Sequence, residues 1–145
     1  MRHLRSLRSR LVPELDVSDL DASLAFYVDG LGFDLAYARP EERFAFLDLD
    51  GASLMLQEAY GPGRRFRTAT LEQPYGRGVN LQIEVADVDS LHRRVSATEA
   101  EMVLPMEERW YRTGTTEAAN RQFVIADPDG YLLRFFEDLG ERPAR

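Results

Sequence analysis

Leu15-Asp16-Val17-Ser18-Asp19-Leu20-Asp21 and Ile83-Glu84-Val85-Ala86-Asp87-Val88-Asp89 share one pattern at an offset of 68 residues: apolar, acid, apolar, small, Asp, apolar, Asp. Alternating apolar positions read as a strand. The aspartates that follow are N-cap residues, whose side-chain oxygens accept from free helix amides. A second match, Asp50-Gly51-Ala52-Ser53-Leu54-Met55-Leu56 against Asp129-Gly130-Tyr131-Leu132-Leu133-Arg134-Phe135, has an offset of 79. Each is an Asp-Gly turn entering a strand, a strong hairpin signal. Internal similarity of this kind marks a repeated structural unit, and the larger second offset places a longer connection inside the second copy.

Working outward, strands are expected at 12–17, 33–38, 43–49 and 52–58, with a helix from about 19 to 28. Leu20, Leu24, Tyr27 and Leu31 give that helix an apolar stripe, and Gly30 and Gly32 end it. The stretch 59–78, rich in Gly, Pro and Arg, reads as a long connector with room for one helical turn. The second unit opens with a strand at 79–85 and a helix at 88–97 that turns Leu91 and Val95 inward. A strand broken around Pro105 follows (102–104 and 109–112), then an inserted polar loop at 113–120 and strands at 122–126 and 131–137. The pattern is βαβββ twice, an α+β fold of mixed curved sheets with helices on the outer face. Residues 11–139 form one domain of two modules (11–58 and 79–139, connector 59–78), preceded by a disordered basic leader at 1–10 and followed by a frayed tail at 140–145.

Composition narrows the function. The formal charge is −7, and the leader carries four arginines, so the body is more acidic still. Such a body repels nucleic acid and attracts cations. The leader reads as an extraneous start or, in the sharper alternative, a targeting or nucleic-acid arm. The absence of cysteine excludes disulfides, thiol catalysis and thiolate metal sites, and fits the cytoplasm. All 18 formal cations are arginines, which excludes lysine Schiff-base chemistry. No apolar run approaches the length of a membrane span, and no phosphate loop, dinucleotide fingerprint or nucleophile elbow is present.

The ordered set Val12-Pro13-Glu14-Leu15-Asp16-Val17-Ser18-Asp19-Leu20, Phe26-Tyr27, Leu31-Gly32-Phe33 and Asp127-Pro128-Asp129-Gly130-Tyr131-Leu132-Leu133-Arg134-Phe135 resembles the vicinal oxygen chelate (VOC) superfamily, which includes glyoxalases, extradiol dioxygenases and bleomycin-resistance proteins. Leu54-Met55-Leu56, Pro74-Tyr75-Gly76-Arg77-Gly78-Val79-Asn80, Trp110-Tyr111-Arg112 and Arg121-Gln122-Phe123 are similar to the bleomycin-resistance branch. Enzymes of the superfamily hold a divalent metal through residues that correspond here to Val12, Met55, Asn80 and Arg134. None is a histidine or a carboxylate, so the resemblance implies a protein without metal, cofactor or catalytic residues: one that binds a small molecule, in particular a cationic, partly planar drug of the bleomycin type. It also implies a homodimer, with the first strand exchanged in some members.

By alternation, Glu14, Met55, Gln57, Asn80, Gln82, Arg134 and Phe136 share the concave face, with Glu14 expected to pair with Arg134. Phe46, Trp110 and Tyr111 complete the candidate ligand-binding set; the alternative for each aromatic is core or surface packing. Arg64, Arg65 and Arg67 read as an anion grip or a solvated loop. His3 and His92 read as surface residues, and Asp127-Pro128-Asp129-Gly130 as a turn. A metal-dependent glyoxalase- or dioxygenase-type enzyme, and a binder of some other metabolite, are the alternatives.

Overall fold

The computed structural model describes residues 9–145, so most of the leader, including His3, lies outside the described residues. The chain divides into two compact units, the first ending at Gln73 and the second spanning Pro74–Arg145.

In the first unit, β1 (Glu14–Val17) leads into α1 (Leu20–Leu24), whose last turns widen into a π-helical stretch at Ala25–Gly30. Then come β2 (Asp34–Arg39), a 3₁₀ turn at Pro40–Glu42, β3 (Phe44–Leu49) and β4 (Ala52–Glu58). The sheet order is β1-β4-β3-β2, with β1 parallel to β4 and the other neighbours antiparallel. Leu20, Tyr27 and Leu31 are buried, as are Leu15, Val17, Leu54 and Leu56 on the strands. The apolar stripe and the alternating strand residues thus form the core between helix and sheet. The hairpin between β3 and β4 turns at Asp50 and Gly51, both with positive φ.

The second unit repeats this order: β5 (Asn80–Glu84), α2 (Val88–Ser96), β6 (Glu101–Thr113), β7 (Thr116–Ala126) and β8 (Leu132–Pro143). Its sheet runs β5-β8-β7-β6, again with the first and last strands parallel. Val88, Leu91 and Val95 of α2 are buried, together with Ile83, Phe123, Leu133 and Phe135.

The duplication extends to the fastening of each helix. Asp19 caps α1 by accepting from the amides of Asp21 and Ala22, and Asp87 caps α2 by accepting from Ser90. A glutamate on the last strand reaches the first amide of each helix: Leu20 N–H donates to Glu58 Oε2 at 3.0 Å, and Val88 N–H to Glu137 Oε1 at 3.0 Å. An arginine near each third strand completes the set, Arg43 against Glu58 and Asp21, Arg121 against Asp89. Hydrogen bonding to Arg43, then to the Leu20 amide, holds the Glu58 carboxyl below its usual range; Arg121 does the same for Asp89.

Several local expectations are corrected. The polar loop expected at 113–120 is hairpin: β6 and β7 pair as far as Thr113 and Thr116, around Gly114 at φ +85. Gly114 supplies the turn there, and the polar residues sit on two paired strands. The tail expected to fray from 140 belongs to β8 through Pro143, because β7 extends far enough to pair with it (Thr116 with Pro143). The break at Pro105 is a register irregularity inside one strand, between Leu104 and Glu107; an edge strand tolerates a residue that cannot donate. The connector has no helical turn. Arg65 instead ties it down by donating to the carbonyls of Glu58 and Glu42, at 2.8 and 3.0 Å, and Arg67 does so through Asp16 and the Ala59 carbonyl. These two arginines therefore stitch loop to sheet, while Arg64 lies over Phe66. His92 is not a solvated surface group: half-buried on α2, it meets Phe123 edge-on at 5.1 Å.

A candidate ligand-binding groove

The face of the second sheet away from α2 holds an open groove of about 380 Å³, within the range of small-molecule sites. Successive strands contribute alternate residues: Gln82 and Glu84 from β5, Arg134, Phe136 and Asp138 from β8, Ala118 and Asn120 from β7, Tyr111 and Thr113 from β6. The register aligns Gln82 with Arg134, and Glu84 with Phe136 and Gln122. Arg134 Nη2 donates to Gln82 Oε1 at 2.6 Å, which orients the guanidinium. Beside this row, Gln122 is buried and its Nε2 donates to Tyr111 Oη at 2.6 Å and to Glu107 Oε1 at 3.0 Å. That amide fixes the Tyr111 ring as a wall. A neighbouring depression of about 520 Å³ includes Asn80, Val79, Leu132 and Val103.

Trp110 does not line the groove. It pairs with Ala119 on the opposite face of the strand from Tyr111, and the Arg142 guanidinium lies 3.6 Å from its ring centroid. One residue of separation on an extended strand reverses the side chain's direction.

The corresponding face of the first unit carries the row Glu14, Met55, Phe46 and Tyr37, aligned across the four strands. Phe46 is buried and stacks on Tyr37 at 5.1 Å. The next row is Asp16, Gln57, Phe44 and Arg39. Here Gln57, also buried, donates to Asp16 Oδ1 at 2.9 Å, and the Arg39 guanidinium caps Phe44 at 4.0 Å. Although Glu14 is exposed, desolvation and then the Asp16 carboxylate push its carboxyl above the usual range, against the opposing pull of Arg65 and Arg39. The expected Glu14–Arg134 pair joins residues of different units and stays an expectation.

Tyr111, Gln82, Arg134 and Phe136 are thus brought together, while Asn80 belongs to the adjoining depression. Sequence reasoning missed Glu84, Thr113, Ala118, Asn120 and Asp138. Alternation extended from Tyr111 and Phe136 through a Gly114 hairpin would have found most of them.

The four positions that the resemblance would place at the superfamily's metal seats carry groups poorly suited to a divalent cation: Val12 a hydrocarbon, Met55 a thioether, Asn80 an amide, and Arg134 a guanidinium that donates to Gln82. Among the described residues, no three His, Cys, Asp or Glu side chains gather in a way that could hold a metal.

Two βαβββ units, each with a helix on one side of a mixed sheet and a row of polar and aromatic side chains on the other, define a tandem α+β protein of the paired-βαβββ class. A sequence model of the Glyoxalase/Bleomycin resistance protein/Dioxygenase superfamily matches residues 11–135, and the chain belongs to that superfamily. It is 28% identical over 137 residues to bleomycin resistance proteins of Geobacillus stearothermophilus and Staphylococcus aureus, covering 88% of this chain and 96% of each relative. Among solved structures, TioX from Micromonospora sp. ML1 is similar with a TM-score of 0.71 and 26% identity, covering 90% of this chain and 99% of that one. TnmS3, an antibiotic binding protein from Streptomyces sp. CB03234, shares the fold at a TM-score of 0.59 and 22% identity, over 88% of this chain and 93% of its own.

Proposed function

We propose that this protein binds a small planar drug without a metal, sequestering it as a bleomycin-type resistance protein does. The observation that carries the reading is the groove, where Tyr111 and Phe136 offer ring surface and Gln82, Asn120 and Arg134 offer directional polar contacts. The similarity to bleomycin resistance proteins along almost their whole length supports the same reading. Enzyme chemistry of the superfamily's metal-dependent kind is disfavoured by side chains that supply no suitable ligand set. The acidic body would draw in a cationic drug at long range. The reading includes a homodimer in the cytoplasm. Strands β1, β2, β5 and β6 are sheet edges, which can pair with a second copy; no helix among the described residues is long and apolar enough to cross a membrane.

Calorimetric titration of the purified protein with metal-free bleomycin, alongside growth of expressing cells on the drug and elemental analysis of the protein, tests this. Saturable binding, protection and no stoichiometric metal are expected. A tightly held equivalent of zinc, iron, nickel or manganese would overturn the metal-free reading. Absence of both binding and protection would favour another metabolite.

A further inference from the structure

We infer that Arg134 is an anion-recognising seat within the groove, which takes an anionic oxygen (carboxylate, sulfonate or phenolate) carried on an aromatic ligand. The inference rests on the groove being the binding site. A guanidinium has five N–H donors in a planar fork. Arg134 is held in place by a neutral acceptor, Gln82 Oε1, through one of them. No carboxylate of its own unit forms an ion pair with it, in contrast to Arg121 and Arg142, each matched to an acid within 4 Å. Its Nε is covered by the protein and has no hydrogen-bond partner, so the Nη donors left over from Gln82 are the ones a ligand in the groove would meet. A guanidinium with free Nη donors can still make charge-assisted hydrogen bonds to an anionic oxygen.

The surroundings say what would complete it. Phe136 is two residues along the same strand, and Tyr111 also borders the groove. A ring lying against these two can direct a ring-borne oxygen at the guanidinium, and charge-assisted hydrogen bonds to Arg are the stronger kind. Gln82 takes no charge away from the seat; it only aims it. Glu84 and Asp138 lie in the same groove and suit donors or cationic groups elsewhere on the ligand. The seat is therefore compatible with a drug of net positive charge that also carries an acidic or phenolic oxygen.

The test compares two fluorescent probes sharing one aromatic framework, 8-anilinonaphthalene-1-sulfonate and the uncharged N-phenyl-1-naphthylamine. The wild-type protein is titrated with each, beside Arg134→Gln, Gln82→Met and Glu14→Gln. Without a seat, the net charge of −7 disfavours the sulfonate. With it, the sulfonate binds at least about tenfold tighter than the neutral probe, the lower end of the scale of a hydrogen bond to a charged group. Arg134→Gln abolishes that preference, read as the ratio of the two probes' affinities within the same variant. Gln82→Met, which keeps the cation and loosens its aim, lowers the same ratio, so the idea stays testable if Arg134→Gln does not fold. No preference in the wild type, or one that survives Arg134→Gln, overturns the seat while leaving the groove intact. A preference that emerges only in Glu14→Gln also overturns it, since Glu14 would then be neutralising the guanidinium. Failure of both probes to bind removes the groove reading together with the seat.

Discussion

Gly51 and Gly130 occupy equivalent turns of the two units, at φ +96 and +95, yet their surroundings differ sharply. A Cβ added at Gly51 would meet nothing within 4 Å, whereas at Gly130 it would lie 2.4 Å from Pro74 Cβ and 2.9 Å from Pro74 Cα. Behind that contact, Tyr75 N–H donates to the Asp129 carbonyl at 2.7 Å, so the segment entering the second unit is strapped onto the turn. Replacing either glycine by alanine forces a side chain into a left-handed conformation, at about 1–2 kcal/mol. Gly130→Ala must in addition displace backbone, at about 1–3 kcal/mol by the usual scale of overpacking. Urea unfolding followed by circular dichroism should therefore show Gly51→Ala destabilised by about 1–2 kcal/mol and Gly130→Ala by about 2–5 kcal/mol, with unchanged slopes. Equal losses for the two variants would refute the reasoning, because the backbone term is common to both and only the Pro74 contact differs.

Two further outcomes follow from the geometry. Glu58→Gln, which removes the charge serving both Arg43 and the Leu20 amide, should lower stability at neutral pH by about 1 kcal/mol, the scale of a lost cap. The Glu58 carboxyl is held low in the folded state, so its contribution is present above the ordinary glutamate range and is lost as pH falls through the depressed value; wild type and variant should converge in acid unfolding curves, and a constant gap down to acid pH would contradict the assignment. Arg142→Ala strips the cation from the Trp110 face and should shift the emission of the single tryptophan while leaving neutral-probe affinity unchanged; a large loss of probe binding would put Trp110 back at the ligand.

The architecture was legible because it is written twice. The Asp19 and Asp87 caps, the Asp-Gly turns and the apolar alternation at Leu15, Val17 and Ile83 are local signals, and the repeat let each support the other. Long-range partners were not legible: nothing local says that Glu58 and Glu137 turn back to helix amides, or that Arg65 and Arg67 grip the chain's own carbonyls and Asp16 rather than a bound anion. The groove was half visible. Gln82, Arg134 and Phe136 follow from strand alternation, but Asn120, Thr113 and Asp138 depended on a hairpin whose polar composition reads as loop. Trp110 and Tyr111 show the remaining difficulty, since alternation says that they part company but not which one faces the groove.

The paired Glu58 and Glu137 staples separate two jobs that a sheet usually mixes. Each module anchors its helix through the rim of its strands, whereas the side chains on the bare flank, Glu14 with Met55 in one and Gln82 with Arg134 in the other, have diverged completely in chemistry. The fastening of each helix therefore does not constrain the chemistry of these two cross-strand rungs, which can change without touching the glutamate that holds the helix.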